Sequence, residues 1–266
     1  MELNLLKNKS SKKFLKYIKK NGWSLTESTY ICLSESEKEF FELEFSGINS
    51  FTYYLERIKA IGFCGMSNVL DIACGMGQWS LALAKLNNNI ICSDINTGRL
   101  LIGRELASCM NINNVNFFNG SAENINLDDA SCDAVFCYGA FMFTDMQSSL
   151  KEFKRVLKPG GKIYLNVNSI GWYLYLIFKR GLNQRNISLI KASLKIIIRS
   201  FFGKSSNIVV SPSKLECVFR KAGFIVKGIG PEGTLRESSS KKRLKQKYRN
   251  NFWGFPMITE ILAIKN

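Results

Sequence analysis

The sequence predicts an α/β fold in which a doubly wound, mostly parallel sheet of seven strands has helices on both faces. From residue 68 onward, short apolar runs alternate with segments whose apolar residues recur at helical spacing. That alternation is typical of parallel strands joined by helices. The chain has 266 residues, 46% of them hydrophobic, so it is long enough to bury one large core.

The first half of the predicted sheet follows from four apolar runs. The strands are NVLDIAC, NIICSD, NVNFFNG and CDAVFCYG, and helices follow the first two in QWSLALAKLN and NTGRLLIGRELASCMN. We expect the second of these helices to bury four side chains that recur at roughly helical spacing, namely Leu100, Leu101, Ala107 and Met110.

The second half begins with SSLKEFKRVLK, a helix whose apolar face consists of Leu150, Phe153, Val156 and Leu157. Pro159-Gly160-Gly161 is expected to end this helix and to turn the chain into the fifth strand, KIYLNVN. A later helix begins with Ser211 as its N-cap and Pro212 at its first position, and Gly223 ends it. FIVKGIG and MITEILAIK supply the last two strands.

Three segments lie outside this core. Residues 1–60 are predicted to form a helical N-terminal lid, and residues 61–266 the core, with insertions at about 170–205 and about 231–254. The first insertion carries an apolar stripe beside a basic row of Lys191, Lys195 and Arg199, and the stripe consists of Ile187, Ile190, Leu194, Ile197, Ile198 and Phe201. It could lie on a membrane surface or cap an acceptor site, and we expect the cap. The second insertion contains the basic run KKRLKQKYR, which is either a solvated loop or a surface for anions.

Composition restricts location and chemistry. The formal net charge is +16, which favours anionic partners without naming one. The eight cysteines form no CxxC pair, and the start of the chain lacks an apolar signal region, so we expect free thiols in the cytosol and no transmembrane segment. The chain has no histidine, which excludes histidine as a general base, metal ligand or proton switch. We predict no metal.

Ligands of such sheets bind beyond the carboxyl ends of the strands. VLDIACGMGQWS, residues 69–80, places Asp71 at a strand end and Gly75 and Gly77 in the turn that follows. Two glycines let a backbone turn tightly against a ligand. A phosphate-binding loop is excluded because no GxxxxGK[ST] occurs, whereas Ser80 and Asp94 leave a dinucleotide and a nucleoside both open.

The wider set of motifs narrows this choice. VLDIACGMGQW, ICSDIN, GSAENINL and LKEFKRVLKPGGKIYLNV together resemble the class I, seven-stranded and Rossmann-like S-adenosylmethionine-dependent methyltransferases, especially the branch that acts on small molecules. The resemblance covers about residues 60–170 well and 211–264 in topology. It implies S-adenosylmethionine as the cofactor.

The resemblance also implies roles for individual residues. Asp71 would help to hold the amino-acid end of the cofactor, and the turn beneath it contains Ala73, Gly75, Met76 and Gly77. Asp94 would accept hydrogen bonds from the ribose hydroxyls, since a carboxylate is a pure acceptor. Ala122 and Glu123 would meet the adenine, Ile95 and Met76 would pack near the base and the sulfonium, and Tyr138 would face the reactive methyl group. Ala73 replaces the usual first glycine, and Glu123 the more usual aspartate.

Each assignment has a structural alternative. Asp71 could cap the next helix, Asp94 could be a turn residue, and Tyr138 could serve packing alone. Without histidine, deprotonation of a hydroxyl acceptor would require a carboxylate, tyrosine or lysine with a shifted pKa. Asp145 is the nearest carboxylate in sequence to the expected methyl site, and its alternative role is an exposed helix cap.

The predicted function is methyl transfer to an N or O atom of a small-molecule or glycan-precursor acceptor, and a basic cap suits an anionic one. Nucleic-acid bases are less expected as acceptors, because Tyr138-Gly139-Ala140-Phe141 stands where base-amino methyltransferases carry an Asn/Asp-Pro-Pro-aromatic loop. Two alternatives remain: an RNA or protein methyltransferase that docks through its basic surface, and a non-catalytic cofactor-binding regulatory subunit. The oligomeric state is not predicted.

Overall fold

The computed structural model describes residues 2–47, 49–201, 208–237, 246 and 248–266. In chain order its strands are β1 (Asn68–Ile72), β2 (Asn89–Asp94), β3 (Val115–Asn119), β4 (Cys132–Cys137), β5 (Leu157–Asn168), β6 (Phe224–Pro231), β7 (Asn251–Phe252), β8 (Phe255–Pro256) and β9 (Ile258–Lys265). Seven of them form one sheet in the order β3-β2-β1-β4-β5-β9-β6, and β7 and β8 form a separate hairpin. The predicted seven-stranded α/β fold is confirmed.

The chain divides into two compact units, Met1–Asn119 and Gly120–Asn266. The first contains the helices α1 (Glu2–Lys20), α2 (Glu27–Cys32), α3 (Glu35–Glu44), α4 (Phe51–Ala60), α5 (Gln78–Ala84) and α6 (Thr97–Cys109). Strands β1, β2 and β3 run parallel to one another in this unit. The predicted helical character of residues 1–60 agrees with α1–α4, and the role of this segment as a lid stays a prediction.

Aromatic packing joins the N-terminal helices to the rest of the first unit. The ring of Trp23, which is almost fully buried, lies 4.8 Å from that of Phe45 and 5.5 Å from that of Tyr54. Tyr54 also packs edge-on against Trp79 of α5, with ring centroids 4.4 Å apart. Such edge-to-face pairs are favourable beyond the area that they bury, so α4 is fixed on α5.

One predicted core residue of α6 is exposed. Leu100 and Ala107 are buried as expected, but Leu101 is 62% exposed. Ile102 and Leu106 are buried instead. The helix buries the face centred on these residues because α6 packs on β2 and β3 of its own unit, and Leu101 points away from that face.

The second unit contains α7 (Met146–Val156), α8 (Ile170–Tyr175), a π-helical turn (Leu176–Gly181), α9 (Ile187–Phe201) and α10 (Pro212–Lys221). Strand β5 is parallel to β4, whereas β9 lies antiparallel between β5 and β6. Three residues of the predicted apolar face of α7, Leu150, Phe153 and Val156, are buried as expected, whereas the fourth, Leu157, is buried as the first residue of β5. Ser211 caps α10 as predicted, its side chain accepting a hydrogen bond from the backbone N–H of Lys214.

The Pro159-Gly160-Gly161 segment is not a separate turn, contrary to the prediction. α7 ends at Val156 and β5 begins at the next residue, so these residues form an irregular stretch within the strand. The pairing register between β4 and β5 shifts at this point: Leu157 lies opposite Cys132, whereas Lys162 lies opposite Ala134. A bulge of this kind absorbs extra residues while the strand continues.

No helix in the described parts of the chain has the length and apolar character that crossing a membrane requires.

Candidate functional site

The glycine-rich turn after β1 adopts backbone conformations that glycine accommodates best. Ala73, Gly75 and Gly77 have φ values of 56°, 59° and 79°. A Cβ atom on Gly77 would lie 3.1 Å from the ring of Phe117, so this position is restricted both by φ and by space. The turn therefore packs closely against Phe117 of β3, which leaves no room for a side chain on Gly77.

Asp94, at the end of β2, holds this turn in place. Its side chain is 5% exposed, and its Oδ2 accepts a hydrogen bond of 2.8 Å from the N–H of Gly75. Oδ1 accepts another of 2.8 Å from the N–H of Asn96. Asn119, at the end of β3, donates to the carbonyls of Asp94 and Ile95 at 3.1 and 2.9 Å. A carboxylate has about four lone-pair positions, so Asp94 keeps acceptor capacity for a ligand.

Asp71 lies deeper in the same unit. It is 1% exposed, and its Oδ2 accepts a hydrogen bond of 2.5 Å from the hydroxyl of Ser80 in α5. Burial raises its pKa to about 7; the bond from Ser80 opposes this rise, and the charge of Asp94 adds to it. Asp71 thus connects β1 to the first turn of α5, and both carboxylates of the predicted site lie at one end of the β1–β2 pair.

Helix α3 reaches the turn from the N-terminal segment. Phe40 is half-buried, lies about 3.9 Å from the Cβ position of Gly75, and carries the guanidinium of Arg99 4.5 Å above its ring. Glu44 accepts a hydrogen bond of 3.3 Å from the amide Nε2 of Gln78. The predicted N-terminal segment therefore contributes side chains beside the turn.

Gln78 carries a buried acceptor beside this turn. The residue is 7% exposed, and its Oε1 has no hydrogen-bond partner among the described residues. The same oxygen lies 3.9 Å from the Cβ position of Gly75. Buried polar atoms are nearly always paired in folded proteins, so an unpaired carbonyl oxygen here is suited to a ligand that donates a hydrogen bond.

The two apolar residues predicted to pack on the ligand differ in accessibility. Met76 is fully buried, so its side chain faces the protein interior, whereas Ile95 is 78% exposed. The first unit thus brings together Asp71, the 73–77 turn and Asp94, with Ile95 at the exposed rim.

The remaining predicted residues lie in the second unit. Ala122 is 6% exposed, and Glu123 accepts hydrogen bonds from the hydroxyl of Ser121 and, at 3.0 Å, from the N–H of Asp145. Burial acts to raise the pKa of Glu123, but these bonds outweigh it and hold the pKa below its ordinary value. Ser121, Glu123 and Asp145 therefore form one local group, although 22 residues separate the last two.

Asp145 serves as a helix cap, the structural alternative to a role as a base. It is exposed and caps α7, accepting a hydrogen bond of 2.8 Å from the N–H of Ser148. Hydrogen bonds from this helix start hold its pKa below the ordinary value. A carboxylate with a lowered pKa is a weak base, so the geometry favours the cap.

Tyr138 follows β4 and has a partner that the sequence did not indicate. Its hydroxyl donates a 3.1 Å hydrogen bond to Oε1 of Glu232, which is 2% exposed and lies just after β6. Beside it, Asn166 Oδ1 accepts a 2.6 Å bond from the N–H of Gly139. Glu232 falls in the predicted basic insertion, where only its position after a strand end could have singled it out.

The same sheet contains a second pair of this chemical type. Tyr164 of β5 donates a 2.6 Å hydrogen bond to Oε2 of Glu260, and both residues are almost completely buried. The other oxygen of Glu260 accepts from the N–H groups of Thr234 and Leu235. The Tyr164–Glu260 pair is therefore enclosed, whereas Tyr138 is half-buried and accessible.

Comparison with known proteins agrees with this geometry. Residues 69–161 match a family model described as a methyltransferase domain. The demethylmenaquinone methyltransferase of Shouchella clausii is 34% identical over 101 residues, which cover 36% of this chain and 43% of the relative. The ubiquinone/menaquinone biosynthesis C-methyltransferase UbiE of Zymomonas mobilis is 34% identical over 98 residues, covering 36% and 40%. The chain thus spans about two fifths of the length of these curated relatives.

A solved structure resembles a larger share of the chain. The S-adenosylmethionine-dependent methyltransferase of Aquifex aeolicus superposes with a TM-score of 0.58 at 15% identity, covering 88% of this chain and all of the other. At that identity the likeness concerns the fold. It shows the class I, Rossmann-like fold of S-adenosylmethionine-dependent methyltransferases, within which residues 69–161 match the methyltransferase-domain model.

Proposed function

We propose that this chain, whose residues 69–161 match the methyltransferase-domain family, transfers the methyl group of S-adenosylmethionine to an N or O atom of a small-molecule or glycan-precursor acceptor. The observation that carries the proposal is the glycine turn fixed by the buried carboxylate of Asp94. The turn lets the backbone come close to a ligand, and the neighbouring carboxylate can accept hydrogen bonds from ligand hydroxyls.

The residues beside the turn fit this cofactor. The unpaired Oε1 of Gln78 suits the ammonium of the cofactor's amino-acid part, and the spare acceptor positions of Asp94 suit two ribose hydroxyls. Burial raises the pKa of Asp71 to about 7, and a positive sulfonium nearby would favour its ionised form. When bound, the cofactor supplies an electrophilic methyl group whose carbon–sulfur bond breaks as the bond to the acceptor forms.

We assign the handling of the acceptor proton to the pair of Tyr138 and Glu232. The Tyr138 oxygen would accept the proton of an acceptor hydroxyl or ammonium while its own proton passes to Glu232, to which it is already hydrogen-bonded. This gives a chain without histidine a proton acceptor. Alignment and exclusion of water would supply the rest of the rate enhancement.

The acceptor is proposed from this chain's own residues, since these curated relatives match only 36% of this chain. The basic surface of the chain favours an acceptor with negative charge. All eight cysteines are free thiols, which supports a reducing compartment such as the cytosol.

The test is conversion of methyl-labelled S-adenosylmethionine by the full chain in the presence of a small-molecule extract, with the methylated product identified by mass spectrometry. Tyr138→Phe and Glu232→Gln should each lower the transfer rate by roughly 100-fold or more, in a pH-dependent way, without changing the affinity for S-adenosylhomocysteine. Tyr164→Phe removes a hydroxyl from the enclosed pair and is the matched control.

One outcome would overturn the role given to Tyr138 and Glu232, and another would overturn the proposed acceptor. If Tyr138→Phe and Tyr164→Phe lower the rate equally and leave the pH profile unchanged, the Tyr138–Glu232 pair is structural. If label enters RNA but no small molecule, and RNA binding weakens steeply with salt, the chain is an RNA methyltransferase.

A further inference from the structure

Helix α9 carries apolar side chains that the described part of the chain leaves exposed. Four of its large residues are exposed, with Ile187 at 65%, Leu194 at 43%, Ile198 at 53% and Phe201 at 76%. A helix that capped a pocket through its apolar stripe would bury these residues. They therefore need another explanation.

Other residues of α9 form the inner face of the helix, which packs against the protein. Ser193 is 2% exposed, and Ile190 packs so closely on the preceding π-helical turn that a Cβ atom on Gly181 would lie 2.5 Å from its Cγ1. This contact sets the rotation of α9 about its axis. The exposed residues consequently remain on the outer side of the helix.

The exposed residues form one stripe. At 3.6 residues per turn, Ile187, Leu194, Ile198 and Phe201 fall within about 60° of one another around the helix axis. On one side this stripe borders the inner face. On the other side it borders three cations, which we call the basic edge: Lys191, Lys195 and Arg199, spread over about the next 80° and all exposed.

The charge around this helix has one sign. Between Glu152 and Glu216 the sequence contains no Asp or Glu. The segment from α8 to the end of α9 contributes six cations, the basic edge together with Lys179, Arg180 and Arg185. A protein partner with an apolar groove would explain the exposed apolar residues alone. A surface with an apolar interior and an anionic outer layer explains these residues and the cations together.

We propose that α9 is a docking surface for an anionic lipid bilayer, with its four exposed apolar side chains inserted at the headgroup–acyl boundary and the basic edge among the lipid phosphates. An amphipathic helix with cations beside its apolar face binds membranes in this way, without spanning them. The proposal concerns binding and does not depend on methyl transfer. It replaces the expected cap role of this helix with a surface role.

The test is co-sedimentation of the full chain with vesicles of phosphatidylcholine, with and without phosphatidylglycerol. The wild-type chain should bind the vesicles that contain phosphatidylglycerol, and less strongly as salt rises. Leu194→Ser with Ile198→Ser, and separately Lys191→Gln with Lys195→Gln, should each weaken binding roughly tenfold or more.

Matched controls come from exposed positions of the first unit. Ile31→Ser with Leu101→Ser removes two exposed apolar side chains, and Lys16→Gln with Lys19→Gln removes two exposed cations. These variants should bind as the wild type does. All of these positions are exposed, and circular dichroism would verify that each variant is folded.

The proposal fails if the wild-type chain binds neither kind of vesicle. It also fails if the α9 variants and the controls lose binding equally, because the attraction would then reflect net charge alone. If instead the α9 apolar variant abolishes self-association in sedimentation velocity and vesicle binding is absent, the stripe is an interface between copies of this chain.

Discussion

Replacing Asp71 with asparagine should change the pH dependence of stability. The folded-state pKa of Asp71 is about 7, raised from an ordinary value of 3.8 chiefly by burial. The folded chain therefore binds this proton more tightly than the unfolded chain does. Its contribution is fully present below about pH 4 and is lost as pH rises to about 7 and above.

The size of the loss follows from the pKa difference. About three pH units correspond to roughly 4 kcal/mol of unfolding free energy. Asparagine keeps an oxygen that can accept the bond from Ser80 but cannot ionise. At pH 8 the Asp71→Asn variant should therefore unfold at a Tm higher by roughly 8 °C, whereas near pH 4 the two proteins should be similar.

The assay is thermal unfolding of the cofactor-free chain by circular dichroism at several values between pH 4 and 8. Asp128→Asn is the control, because Asp128 is exposed and this variant should follow the wild-type pH dependence. Parallel stability curves for wild type and Asp71→Asn across this range would refute the reasoning. Such a result would mean that water or a rearrangement solvates Asp71 in the folded chain.

Two further predictions concern ligand affinity and packing. Asp94→Ala should weaken S-adenosylhomocysteine binding by roughly 1.5–3 kcal/mol in calorimetry, the range for hydrogen bonds to a charged group, and should lower Tm because the Gly75 N–H loses its acceptor; unchanged affinity would refute the ribose assignment. Gly171→Ala should cost roughly 1–3 kcal/mol in chemical denaturation, because its Cβ would lie 2.3 Å from the carbonyl oxygen of Phe255. Gly98→Ala, which would meet only side-chain oxygens, should cost clearly less, and an equal cost would contradict the packing argument.

Local sequence patterns predicted the elements well where one face is buried. The stripe of α7 and the capped start of α10 could be located because periodicity and capping chemistry are local properties. Leu101 was misplaced because spacing alone does not say which part of a wide apolar arc faces the sheet. The Pro159-Gly160-Gly161 stretch was misread because a bulge and a turn share the same residues.

The candidate site was predictable only in part for a related reason. Asp94 and the glycine turn are marked by strand ends and a short motif. Glu232 is singled out by its hydrogen bond with Tyr138, which is distant in sequence. Gln78 is singled out by its buried Oε1, which has no hydrogen-bond partner among the described residues. No local sequence pattern encodes either property. The orientation of α9 was likewise set by its contact with Gly181, a tertiary property.

The position of β9 also constrains the order of folding. Strand β6 precedes β9 in the chain, and among the described strands β9 is the one that it pairs with in the sheet. During synthesis β6 therefore lacks this partner until β9 has emerged, and its hydrogen-bonding edge is open in the meantime. This side of the sheet is therefore completed only after β9 has been made, because β9 is the neighbour of both β5 and β6.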